Sequence, residues 1–127
     1  MKICVTSQGE TLDAQVDPRF GRCQYFIVVD PDSLEYEAMV NPNIESSGGA
    51  GIQSGQLVAS KQVQIVLTGN VGPNAFETLQ AGGVGVVTGV TGSIREAIGK
   101  YKQGEYKVSE EPSVNSKFGM PGKAQNS

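Results

Sequence analysis

From residue 50 to residue 102 the chain alternates helix-patterned and strand-patterned stretches, and this alternation restricts the fold more than any other feature. "AGIQSGQLVASKQ" (50–62), "PNAFETLQA" (73–81) and "SIREAIGKYK" (93–102) carry helix signatures, separated by the β-rich "VQIVL" (63–67) and "VGVVT" (84–88). The ends are marked. Pro73 suits a first helical position, Gly82 and Gly83 follow the second helix as a stop, and Ser93 with Glu96 has capping-box spacing. Ile94, Ala97, Ile98 and Tyr101 then form one apolar stripe, so the last helix packs on a sheet.

Upstream, "KICVTS" (2–7), "QYFIVVD" (24–30) and "LEYEAMV" (34–40) read as strands, and "DPDS" makes the second and third a hairpin. Helical crossovers make the first, fourth and fifth strands parallel, while the hairpin reverses the second. The expected fold is a small three-layer α/β domain with a mixed five-stranded sheet in the order 3-2-1-4-5 and three helices. Cys4, in the central strand, is expected to be buried. Residues 1–106 form the domain; from Gly104 the chain turns polar, and 107–127 is expected to be a loose tail.

Bulk properties narrow the function. A chain of 127 residues suits one domain, and a net charge of −3 argues against nucleic acid, whose binding needs a basic face. The absence of histidine excludes histidine-based acid/base or triad chemistry, and two cysteines are too few for a disulfide framework or a self-contained zinc site. With no apolar run of membrane-spanning length and no signal-peptide pattern, a cytoplasmic protein is expected.

The topology places every long loop at one end, here called the top: 7–23, 41–51, 68–74 and 88–93, together with the N-termini of all three helices. Strand order reverses between the first and fourth strands, and open α/β sheets bind ligands at such a point. Helix N-termini carry unpaired N–H groups and the positive end of a dipole, and glycine lets backbone approach a ligand. Three glycine-fronted helix starts beside Arg19 and Arg22 therefore suggest an anion cradle. Plainer roles stand beside this one: the glycines as turn residues, the arginines as solvated or paired with Asp13 or Asp17, Cys23 as a small apolar residue opening a strand. "GAGIQSG" (49–55) follows no tight strand turn, and "GNVGPNA" (69–75) lacks the Lys-Ser/Thr pair of a P-loop, so dinucleotide binding and triphosphate hydrolysis are not indicated. No set of residues looks catalytic, and a non-enzyme is expected.

Several blocks in order, "DPRFGRCQYFIVVD" (17–30), "GAGIQSGQLVASKQV" (49–63), "IVLTGNVGPNAFETLQAGGV" (65–84) and "TGVTGSIREAIGKYKQGEY" (88–106), resemble the dinitrogenase iron–molybdenum cofactor biosynthesis family. That family includes NifX, NifY, the C-terminal part of NifB and the orange protein of sulfate reducers. The resemblance implies a ribonuclease H-like fold without nuclease carboxylates, and a role in binding, carrying or assembling an anionic metal–sulfur cluster, Mo-Fe-S or Mo-Cu-S. Carried over by position, the candidate binding residues are Arg19, Phe20, Gly21, Arg22 and Cys23; Gly49, Gly51 and Gln53; Gly69, Asn70, Gly72 and Asn74; and Thr91, Gly92 and Ser93. Backbone N–H groups are expected to donate, the arginines to balance charge, Phe20 to form a partial cover and Cys23 to serve as a metal thiolate. Cluster-assembly proteins and an Mrp-type P-loop ATPase are the partners the resemblance implies, for a monomer or weak homodimer without membrane association. An adaptor that docks on such an ATPase without holding a cluster is the alternative. The lack of histidine separates this chain from carriers that use it as a ligand.

Overall fold

The computed structural model describes residues 1–44 and 49–114. Five strands, β1 (Ile3–Ser7), β2 (Tyr25–Val29), β3 (Tyr36–Val40), β4 (Ile65–Leu67) and β5 (Gly85–Val87), form one sheet in the order β3-β2-β1-β4-β5. β1 is antiparallel to β2 and parallel to β4, and β4 is parallel to β5, which is the expected mixed sheet with β1 at its centre. All five residues of β1 are buried, Cys4 among them, because helices cover both faces.

Side-chain alternation sorts the core into two layers. Cys4, Val28, Val66 and Val86 face α1 (Ala50–Ala59) and α2 (Pro73–Ala81), packing on Val58, Phe76 and Leu79. Ile3, Val5, Ile27, Val29 and Leu67 face the other way, onto Ile94, Ala97 and Ile98 of α3 (Ile94–Lys102), with Leu12 and Val16 of the first loop filling in beside them.

Several elements are shorter than their patterning suggests. Leu34 sits at φ 65°, in a turn where the Asp30 carboxylate accepts the amides of Asp32 and Ser33, so β3 begins only at Tyr36. Gln62 at φ 62° lies beyond the end of α1. The polar stretch after Gly104 departs further from expectation. Ser109 donates its amide to Val86 O at the edge of β5, and Ser113 and Val114 donate theirs to Val71 O. Residues 107–114 thus form a strap running back to the top of the sheet, although none of them is fully buried. The rest of the expected tail, 115–127, lies outside the described residues.

α1 and α2 run side by side with very little between them. A Cβ on Gly51 would come 3.3 Å from the Ala75 Cβ, and one on Gly55 would come 2.9 Å from Thr78 Cγ2. The small residues at 51, 55 and 59 recur every four positions and so share one face. That seam brings the two helix starts together at the top.

Candidate functional site

A hollow of about 490 Å³ opens where those two starts meet the first loop. Arg19, Phe20, Gly21 and Arg22 form one side; Gly49, Ala50 and Gly51, at the head of α1, form another. Asn70, Gly72, Pro73, Asn74 and Ala75 supply the head of α2, and Val114 of the strap reaches the rim. The N-cap residues, Gly49 and Gly72, have no side chain to offer the first-turn amides of their helices.

The loop is held in place by the strands that end beneath it. Asp17 donates its amide to Thr6 O, and the Thr6 hydroxyl lies 2.7 Å from Asp17 O and 2.8 Å from the Thr68 hydroxyl. β1 and β4, the strands flanking the order reversal, are thereby tied to the same loop. Next along, Asn70 donates to Pro18 O and Phe20 donates to Asn70 O. A Cβ at position 69 would lie 2.6 Å from Pro18 Cα, so Gly69 is required by this crossing of two backbones.

Charge at the mouth is uneven. The Asp17 carboxylate, nearly fully buried, accepts the Arg19 amide and pairs with its guanidinium at 3.3 Å. Arg19 is therefore partly neutralised. Arg22 is half-buried and donates from Nη1 to Ile44 O at 2.9 Å, a neutral acceptor that leaves its full charge beside the hollow.

The structure brings together Arg19, Phe20, Gly21, Arg22, Gly49, Gly51, Asn70, Gly72 and Asn74, and leaves six candidates elsewhere. Thr91, Gly92 and Ser93 lie at the start of α3, on the opposite face of the sheet. That helix start is already saturated: Ser93 and Glu96 form a reciprocal capping box, while Ile94 and Arg95 donate to the carbonyls of Ala14 and Leu12. Its amides are consumed by the chain. Gln53 is exposed one turn into α1, its amide bonded to Gly49 O, and Gly69 is under Pro18.

Two roles also need correction. Phe20 is 2% exposed and packs on Phe26 with ring centroids 5.6 Å apart, so it floors the hollow instead of covering it. Cys23 is fully buried below that floor, with its thiol 3.5 Å from Phe20 O. Burial, reinforced by nearby Cys4 and Asp17, pushes the Cys23 thiol far above the ordinary thiol range, as burial alone does for Cys4. Below the floor, the thiol is not among the groups that line the hollow. Among the described residues no three His, Cys, Asp or Glu side chains gather as a metal site.

Two polar residues absent from the sequence-derived set matter here. Asn41 and Ser54 are buried directly behind the loop, where the Asn41 amide nitrogen reaches Gly21 O and Cys23 O and the Ser54 hydroxyl reaches Gly21 O. Asn41 stands between Val40 and Pro42, and Ser54 between Gln53 and Gly55, so nothing local in the sequence marks either as buried.

A model of the family described as dinitrogenase iron–molybdenum cofactor matches residues 1–104. The chain belongs to this family. Its structure is similar to that of the apo form of the orange protein from Desulfovibrio gigas, with a TM-score of 0.86 and 38% identity over 89% of this chain and 96% of that one. A Thermotoga protein assigned provisionally to NifB superposes with a TM-score of 0.73 at 36% identity, covering 84% of this chain and 91% of its own. An uncharacterised protein of Methanocaldococcus jannaschii is 30% identical over 94 residues, 72% of this chain and 80% of its own. The two solved structures share the overall fold described here. Among the described residues, no helix of this family member is long and apolar enough to cross a membrane.

Proposed function

We propose that this family member binds and carries an anionic metal–sulfur cluster, of Mo-Fe-S or Mo-Cu-S type, or its thioanion or oxyanion precursor, and performs no reaction on it. One observation carries the proposal. Gly72 has φ −85° and ψ 175°, a backbone open to any residue, and a Cβ there would meet none of the described residues within 4 Å. Backbone conformation and packing would equally admit Ser, Thr, Asp or Asn, the commoner N-cap residues, yet any of these would put a side chain at the edge of the hollow at the head of α2. Position 72 is bare where a guest would sit.

The surroundings fit an anion. Two uncapped helix starts face the space with their positive dipole ends, and Arg22 adds a charge that no carboxylate offsets among the described residues. Sulfur or oxygen surfaces of a cluster accept N–H hydrogen bonds, so such cargo needs no protein ligand to the metal. A second hollow of similar volume lies under the strap, but Glu110 and Glu111 outnumber Lys107 in its lining and make it a poorer place for negative charge.

The test is retention. Protein mixed with tetrathiomolybdate and Cu(I) and then desalted is expected to keep charge-transfer bands in the visible spectrum. Arg22→Ala is expected to lose most of that intensity, whereas Arg95→Ala, which removes an exposed cation paired with Asp13 far from the hollow, keeps it. Wild type emerging colourless would refute the proposal.

A further inference from the structure

Three carbonyls of the first loop are turned away from the hollow by donors behind it. Phe20 O lies 3.5 Å from the Cys23 thiol, and Gly21 O accepts from Asn41 Nδ2 at 3.1 Å and from Ser54 Oγ at 3.3 Å. Cys23 O accepts from Asn41 Nδ2 at 2.9 Å. The three donor side chains are at most 1% exposed and come from three different parts of the chain. Asn41 is fully committed, since both its N–H groups serve this loop and its Oδ1 accepts the Asn43 amide at 2.9 Å.

Peptide geometry turns this into a statement about the hollow. There is no cis bond, so each carbonyl points opposite to the N–H that follows it. Pulling Phe20 O and Gly21 O inward therefore aims the Gly21 and Arg22 amides outward. Among the described residues neither amide has a protein acceptor. On the side facing the guest, the loop thus offers donors and withholds acceptors.

We infer that Asn41, Ser54 and the Cys23 thiol are positioning residues that set the hollow's preference for anions over cations without touching the guest, an inference that rests on the anion-carrier function proposed above. A metal cation would need the carbonyl oxygens that these residues occupy. Cys23 then acts through its proton, as a donor to Phe20 O. The role differs from that of a thiolate ligand in a way that substitution resolves: serine preserves a donor, alanine does not.

The experiment combines tetrathiomolybdate affinity with ¹H–¹⁵N spectra of wild type and four variants. In ligand-free wild type the Gly21 and Arg22 amides are expected to exchange rapidly with solvent, and both are expected to shift on adding tetrathiomolybdate. Ser54→Ala and Cys23→Ala are each expected to weaken binding about fivefold, as for loss of one buried hydrogen bond, and Asn41→Ala by about 25-fold for loss of two. Cys23→Ser is expected to bind within about twofold of wild type, because it keeps the donor. Ser54→Ala, a helix-compatible change, preserves the fold even if Asn41→Ala does not. Cys23→Ser binding as poorly as Cys23→Ala, or Ser54→Ala binding as well as wild type, would overturn the inference. The ligand-free spectrum separates this failure from that of the carrier function: slow exchange at Gly21 and Arg22 overturns the orientation whatever binds. Fast exchange with no binding by wild type overturns the carrier function and the anion preference with it.

Discussion

A side chain at position 72 would enter space and little else, which makes it the sharpest probe of the hollow. Gly72→Val is expected to fold with an unfolding midpoint close to that of wild type and to bind tetrathiomolybdate at least about tenfold more weakly, since the isopropyl group occupies room the guest needs. Thermal unfolding and a binding isotherm on the same sample check both halves. The two cysteines give a second prediction at this scale. Burial raises both thiol pKa values in the folded protein, so the unfolded chain loses thiol protons first as pH rises through about 9. Stability is therefore full below that pH and falls above it, by roughly 1 kcal/mol per thiol per pH unit. Urea midpoints from pH 8 to 10 are expected to decline more steeply for wild type than for Cys4→Ala. Such burial also explains why Cys23 misled as a candidate ligand: "GRCQY" places a cysteine beside an arginine, but nothing in that string says which way the side chain turns.

At the scale of elements, the alternating pattern from residue 50 onward was enough to yield sheet order, strand directions and which helix ends share the top. It could not tell which of those ends are already used. Ser93 and Glu96 already mark the third start as capped; what no local pattern shows is that Ile94 and Arg95 donate to Ala14 and Leu12, partners about eighty residues away in the chain. Ser93→Ala is accordingly expected to cost about 1 kcal/mol of stability, as for loss of a helix N-cap, while leaving tetrathiomolybdate affinity unchanged. A chemical denaturation series beside the binding isotherm separates the two effects. Gly51 and Gly55, which fall in a glycine-rich pattern compatible with anion binding, prove to form a helix seam. Gly55→Val would gain helix propensity over glycine, but it would drive a branched side chain into Thr78 at under 3 Å, and the steric cost wins. The expected outcome is a loss of about 2 kcal/mol, measured by urea unfolding.

For the whole molecule, a net charge of −3 and a site for anions are compatible because the favourable field is local. Two helix dipoles and Arg22 act at contact distance, while the remaining charge is spread over the surface and screened within about 10 Å at ordinary ionic strength. The strap adds what composition concealed: a polar stretch with little to bury is tied to β5 and to Val71 by backbone hydrogen bonds, and its Val114 borders the hollow. Sequence reading treated 107–114 as loose because apolar content was its measure of order, and backbone pairing leaves no such trace. The central claim concerns location, and it is tested most directly by crystals of the desalted, coloured protein measured at the molybdenum absorption edge. An anomalous peak between Arg22, Gly49 and Gly72 is the expected result; a peak under the strap beside Glu110 and Glu111, or none in crystals that keep their colour, would contradict it.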